Sequence, residues 1–211
     1  MSSSTPNNNN NNNNPPGAPP PGPPLAMLSQ PAKRLYWTLQ GPLSTAVTVM
    51  PPDLNPDAPR DAYFRQTLAG TTWHPISESP MTEPPVASLE VKETNLMDWR
   101  DSWWTANQEG LDNEADEPEG EREPPEFRPL VVSASNGEFV TVHDYVTAVH
   151  PWLMGQREQV LKARNAAEDD DYEPEGNERL LLQLNRPAEI SVEDEDEWKE
   201  SLRWRFRNGR T

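Results

Sequence analysis

Residues Leu130 to Leu153 read LVVSASNGEFVTVHDYVTAVHPWL, the only long window of the chain where apolar pattern, turn chemistry and helix capping agree. Leu130, Val131 and Val132 form one short aliphatic run, and Phe139, Val140 and Val142 form another. Asn136-Gly137 lies between them. Both residues tolerate positive φ, so Asn-Gly flanked by apolar runs predicts a tight hairpin, here pairing Ser135 with Glu138. Thr141 then suits an N-cap, its hydroxyl accepting from the N–H of Asp144. Asp144 at the third helical position places a carboxylate at the positive end of the helix and completes an Asp version of the capping box. Val142, Tyr145, Val146, Val149 and Leu153 recur on one helical face. Pro151 removes a helical hydrogen bond and crowds the preceding turn, so a stop or kink is expected near His150. Gln156 to Arg164 reads as a second helix with Val160 and Leu161 inward.

Upstream, Leu35, Trp37 and Leu39 alternate with Tyr36 and Thr38, the pattern of a half-buried strand closed by Gly41-Pro42. Ala46 to Val49 reads as a short strand. Ala62 to Leu68 reads as a helical turn or two, anchored by Tyr63, Phe64 and Leu68. Ala87 to Val91 reads as a strand with Leu89 and Val91 inward. Arg179 to Leu184 fits a strand or a helix. Ser191 to Gly209 also has two patterns. One is a helix capped by Ser191, with acids first, arginines last and Gly209 as C-cap. The other is a strand in which Leu202, Trp204 and Phe206 alternate with arginines. The helix is the expectation.

The segment from Val131 to Leu153 resembles the hallmark of a fungal family of domains of unknown function. In that family a V-T-V strand end runs into a helix of the form D-V-L-x-A-I-x-x-x-L. Val140, Thr141, Val142, Asp144, Val146, Ala148, Val149 and Leu153 carry the likeness. Leu35-Tyr36-Trp37-Thr38-Leu39 is similar to the family's first strand, and Pro84 to Val91 to its proline-led second strand. The likeness spans about half the chain and consists of hydrophobic patterns. It implies a fold and assigns no activity and no site residues.

The chain has 211 residues, a net charge of −17, 25 prolines and only 33% hydrophobic residues. Parts of it therefore lack the apolar surface needed to offset ordering entropy. Its 8 tryptophans argue the other way for the remainder. The expectation is a single α+β domain from about residue 31 to 211, a small antiparallel sheet packed by one or two helices. A disordered Asn/Pro-rich tail over residues 1–30 should precede it. Disordered acidic insertions should interrupt it at about 107–126 and 167–178, because blocks of like charge repel. The prolines before Leu25 read as a solvated tail rather than a docking ligand, since no basic residue flanks them to orient binding.

The chain has no cysteine, which excludes disulfides and thiolate zinc sites. No apolar run approaches a membrane span, and the first twenty-four residues hold neither the apolar core of a signal peptide nor an arginine. A cytoplasmic or nuclear protein is expected, with no membrane and, given the acidic balance, no nucleic-acid partner.

Few residues suggest chemistry. His143 and His150 share a helical azimuth, but a rise of ~1.5 Å per residue sets them about 10 Å apart, too far to share an ion. With His74 they read as ordinary structural histidines. Asp169, Asp170, Asp171 and Glu173 invite calcium but lack EF-hand spacing. GxSxG, P-loop, GxGxxG and HExxH motifs are all missing. No catalytic residue, cofactor or metal is assigned. Trp99, Trp103 and Trp104 form the densest aromatic cluster. They read as core or core cover, with a partner-contact role kept open by Asp98, Arg100 and Asp101 around them. Ser191, with Glu193 and Asp194 downstream, fits an acid-directed kinase site as well as a helix cap. The leading expectation is a non-catalytic interaction module of fungal type whose acidic surface binds a basic protein, with the Trp99 to Trp104 cluster fixing the pose. The alternative is an enzyme whose carboxylate or histidine site forms only in three dimensions.

Overall fold

A computed structural model of the chain describes residues 25–68, 70–107, 126–167 and 179–207. The tail before Leu25, most of both acidic insertions, the Asp169–Glu173 cluster and Gly209 lie outside these residues. The elements in chain order are β1 (Met27–Leu28), β2 (Leu35–Trp37), α1 (Leu43–Ala46), β3 (Val47–Val49), β4 (Asp61–Ala62), β5 (Phe64–Thr67), β6 (Gly70–Trp73), β7 (Thr82–Glu83) and β8 (Ser88–Glu93). They continue with α2 (Thr94–Asn107), β9 (Leu130–Ser133), α3 (Val142–Gly155), α4 (Arg157–Ala167), β10 (Leu180–Arg186), β11 (Glu189–Asp194) and α5 (Glu195–Arg207). The class is α+β. The fold begins a few residues before Pro31, since Met27 and Leu28 already pair with Glu83 and Thr82.

The expected capping box is present at the start of α3. The Thr141 hydroxyl accepts from Asp144 N–H at 3.0 Å, and the Asp144 carboxylate accepts from Thr141 N–H at 2.9 Å. Burial alone would raise the pKa of Asp144, but hydrogen bonds from Thr141 and Ser135 outweigh it and hold the carboxyl below its usual range. Val142, Tyr145, Val146, Val149 and Leu153 are all buried, the helical face expected. The helix does not stop at His150. It passes Pro151 and ends at Gly155. Pro151 is exposed, so the carbonyl it strands one turn earlier is on the side where water can satisfy it, and the buried stripe holds the rest of the helix.

The hairpin expected within the central stretch does not form. β9 pairs antiparallel with β8, Leu89 opposite Val132 and Val91 opposite Leu130. The Asn-Gly reversal is real: Asn136 Oδ1 accepts from the N–H groups of Glu138 and Phe139 at 2.8 and 3.0 Å, and Gly137 takes φ 76°. Beyond the turn, Val140 donates to the Val86 carbonyl and accepts from Met81 N–H, each at 2.8 Å. A turn reverses the chain without choosing its neighbour. β8 brings buried Leu89 and Val91 alongside β9, and the Met81–Val86 segment takes the place of the second strand's partner.

Three further expectations are corrected. Ala62 to Leu68 is not helical. Phe64–Thr67 pairs with Gly70–Trp73, Phe64 and Trp73 meet at 4.9 Å between ring centroids, and Leu68 is exposed at the tip. Cross-strand aromatic contact and the β-branched Thr71 and Thr72 outweigh local helix preference there. Ser191 does not cap a helix. Residues 189–194 form β11, because Ile190 and Val192 fill the main core opposite Leu184 and Leu182, and the helix starts at Glu195. Finally, β2 is buried on both faces. Leu35 and Trp37 enter the main core, while Tyr36, 3% exposed, enters a second core with Met50, Leu54, Leu181, Trp198 and Leu202. That second core exists because α5 covers the other side of the sheet, with Trp198 edge-on to Tyr36 at 5.4 Å.

The strands run β10–β11–β8–β9 in one sheet and β2–β3–β4 in another. Pairing is antiparallel except between β11 and β8, which run parallel over Glu189–Ile190 and Lys92–Glu93. The sheets are stitched at one point, where Leu39 N–H donates to the Leu180 carbonyl at 2.9 Å and Thr38 bridges Leu181. α3 lies on the main-core face and α5 on the other, while α2 and α4 pack together.

Candidate functional site

The three tryptophans singled out in the sequence all lie on α2 and have different environments. Helical spacing puts Leu96, Trp99 and Trp103 on one stripe. Leu96 is fully buried, Trp99 is half-buried against the main core, and Trp103 is 9% exposed. Trp104 falls outside the stripe and is 46% exposed. The two adjacent rings meet edge to face at 5.1 Å and 90°, so buried Trp103 buttresses Trp104 and limits its rotamers. Asp98 and Asp101 are both exposed on the outer flank of the same helix, around a shallow surface hollow with Thr105. The helix thus exposes an aromatic ring and two carboxylates. Arg100 stays near by, paired with Asp101 at 3.2 Å and set 5.4 Å from the Phe127 ring.

Ser191 sits in the middle of β11 and is buried. Its hydroxyl accepts from Asn185 Nδ2 and donates to Glu193 Oε1, both at 3.3 Å. A kinase takes an exposed, extended segment, and this serine is held inside a paired strand. The structure thus corrects the cap read for it, and as a modification site it would be reached only by opening the strand.

The histidines serve the fold in separate places. His150 Nδ1 accepts from the Trp37 indole at 3.2 Å, and Nε2 lies 3.1 Å from the Gly41 carbonyl. An indole only donates and a carbonyl only accepts, so the proton of His150 is on Nε2. Burial lowers its pKa. His74 accepts from Ile76 N–H and caps a short 3-10 turn over Pro75–Glu78; burial lowers its pKa as well. His143 packs against Trp73 in a tilted contact, 4.5 Å between centroids and 57° between planes.

One buried carboxylate was not singled out in the sequence. Glu93 is fully buried and its pKa is pushed up to about 7 by burial, against the hydrogen bonds it accepts from Leu96 N–H at 2.7 Å and Asn95 N–H at 3.2 Å. Those two donors are free N–H groups of the first turn of α2, so Glu93 caps that helix. Nothing local marked it, because a Glu in a strand pattern reads as a solvent-facing residue. Among the described residues no group of three or more His, Asp or Glu is placed to hold a metal ion, and no helix is long and apolar enough to cross a membrane.

A cleft between β1, β10 and α5 also escaped the sequence, because its walls come from separated segments of the chain. No family model, no curated protein and no solved structure matches the chain.

Proposed function

We propose that the protein is a non-catalytic, intracellular interaction module of the fungal type suggested by its V-T-V segment, binding a Lys/Arg-rich protein surface. The observation that carries this is Trp104, an exposed ring packed edge to face on buried Trp103, on a helix that also exposes Asp98 and Asp101. Rigid exposed aromatics are the residues on which binding energy concentrates, because they bury large area and lose little entropy. Their carboxylate neighbours select a basic partner. The net charge of −17 supplies a long-range field that speeds its approach. The groups an enzyme would draw on have structural tasks: Glu93 caps α2, His150 joins Trp37 to Gly41, and His74 caps a turn.

Affinity purification of the tagged chain from its own cell, followed by mass spectrometry, identifies the partner. Trp104→Ala should then weaken binding by roughly 2 kcal/mol or more, while leaving the fold intact. Neutralising the acids of residues 109–126 should slow association several-fold at low salt and far less at high salt. Unchanged affinity for Trp104→Ala would remove the α2 patch from the interface. An unchanged association rate for the neutralised chain would leave the acids as solubilisers only.

A further inference from the structure

β10 has a strand neighbour on one side along its whole length, namely β11. On its other side it meets the continuation of β2 only at the Thr38–Leu181 bridge. Past that bridge the strands part, and a cavity of about 110 Å³ opens between them. Its apolar wall is made by Leu28, Leu35, Leu54, Leu182, Trp198 and Leu202. An engineered apolar cavity of about 150 Å³ takes benzene, so this one has room for a single aliphatic side chain.

The charged residues of the lining are of one sign. Lys33 and Arg205 reach the cavity from different walls, and neither has an ion-pair partner among the described residues. Glu193 acts on Arg205 through space without contact, and burial pushes the pKa of Arg205 down. Gln183 is only 4% exposed, and its side-chain amide makes no hydrogen bond. That amide lines the cavity, where its N–H can donate to a ligand oxygen. The cleft continues past Gln183, Asn185 and Arg205 into an open arm lined by Glu193, Glu197, Glu200 and Trp204. Apolar cavity, cations and acids therefore follow one another along one cleft, which starts at the free edge of β10 and turns over the β10/β11 face beside α5.

We propose that this cleft binds the C-terminus of a peptide whose last residue is aliphatic and whose preceding residues are basic. The last side chain fills the cavity and the α-carboxylate meets Lys33, Arg205 and the Gln183 amide. The preceding residues leave the cavity past Gln183 and Asn185, so that upstream Lys or Arg lies along the acidic arm. Capture of a terminal carboxylate is an established way to read a chain end. The basic upstream part rests on the basic-partner function proposed above. The terminal part does not.

The test uses the full chain and the dye-labelled peptide Gly-Arg-Lys-Arg-Gly-Ser-Gly-Leu, read by fluorescence polarisation. The free acid should bind at least about tenfold more tightly than the same peptide amidated at its C-terminus, since a charge-assisted hydrogen bond is at stake. Replacing the last Leu by Ala should weaken binding by a similar factor. Arg205→Gln and Lys33→Gln should each weaken the acid and leave the amide almost unchanged, with circular dichroism confirming the fold. Equal binding of acid and amide, or no binding of either, overturns the proposal. Displacement by 4-methylpentanoate at the peptide's own concentration also overturns it, by assigning the cavity to a free small acid. If the acid outbinds the amide but a peptide with Gln for Arg and Lys binds equally well, the basic upstream part fails and the terminal site stands.

Discussion

Trp37 and His150, 113 residues apart in sequence, share a buried hydrogen bond of 3.2 Å from the indole N–H to imidazole Nδ1. The same imidazole reaches the Gly41 carbonyl from its other nitrogen. One side chain thus ties the middle of α3 to both β2 and the turn that follows it, using each ring nitrogen in its neutral role.

His150 should therefore act as an acid-sensitive fastener. Burial lowers its folded pKa below the ordinary 6.5, so the unfolded chain binds the proton more readily. The stabilisation is complete above pH 6.5 and is lost as pH falls towards the folded pKa. A thermal melt series from pH 7.5 to 4.5 should show the parent losing stability faster than His150→Phe, which cannot protonate. At pH 7.5 His150→Ala should cost about 2–4 kcal/mol, from a cavity and an unpaired indole N–H. Parallel pH profiles for parent and His150→Phe would contradict this.

Glu93 should give the opposite slope. Its folded pKa of about 7 lies above the ordinary 4.5, so the folded chain holds the proton more tightly. The associated stability is present below pH 4.5 and is lost as pH rises through 7. Glu93→Gln abolishes that titration. Denaturant melts at pH 5 and pH 8 should show the variant gaining on the parent at the higher pH by a few kcal/mol, at about 1.4 kcal/mol per pKa unit. An identical stability difference at both values would mean that Glu93 does not titrate in this range.

The phase of α3 can be tested with one pair of variants. Val146 is fully buried and Thr147 lies a helical step away on the partly exposed side. Val146→Asp buries an unpaired charge and should unfold the domain. Thr147→Asp should be within about 1 kcal/mol of the parent, the cost of losing the hydroxyl bonds to the His143 and Asp144 carbonyls. Equal melting temperatures would refute the phase.

Arg164 on α4 and Asp194 at the end of β11 form an ion pair whose arginine is buried. Asp194→Ala removes one carboxylate partner from that buried guanidinium and should destabilise the fold by about 1–3 kcal/mol. Converting both, as Arg164→Met with Asp194→Leu, should recover most of the loss. A double variant no more stable than Asp194→Ala would show that the pair contributes more than mutual neutralisation.

What the sequence determined by itself is the chemistry that acts within one turn of helix or one reversal of chain. Thr141 and Asp144 satisfy each other's N–H groups across three residues, and Val142 to Leu153 repeat with the helical period, so start, phase and buried face of α3 are all legible. The same holds for the Asn136-Gly137 reversal and for the inward Leu89 and Val91. Trp103 and Trp104 could be read as a cluster, but which ring is buried depends on what packs against α2. Partner choice was decided by the tertiary structure alone. β9 joins β8 and not the run after its own turn, because backbone pairing is non-directional in sequence and goes to the strand whose apolar face is already in place. Tyr36 is buried because α5 arrives from the far end of the chain to cover it. Pro151 is tolerated because it meets solvent. The β10 cleft, with Lys33, Gln183 and Arg205 around one cavity, exists only because two strands that touch at Leu181 then part, and no local pattern encodes that separation.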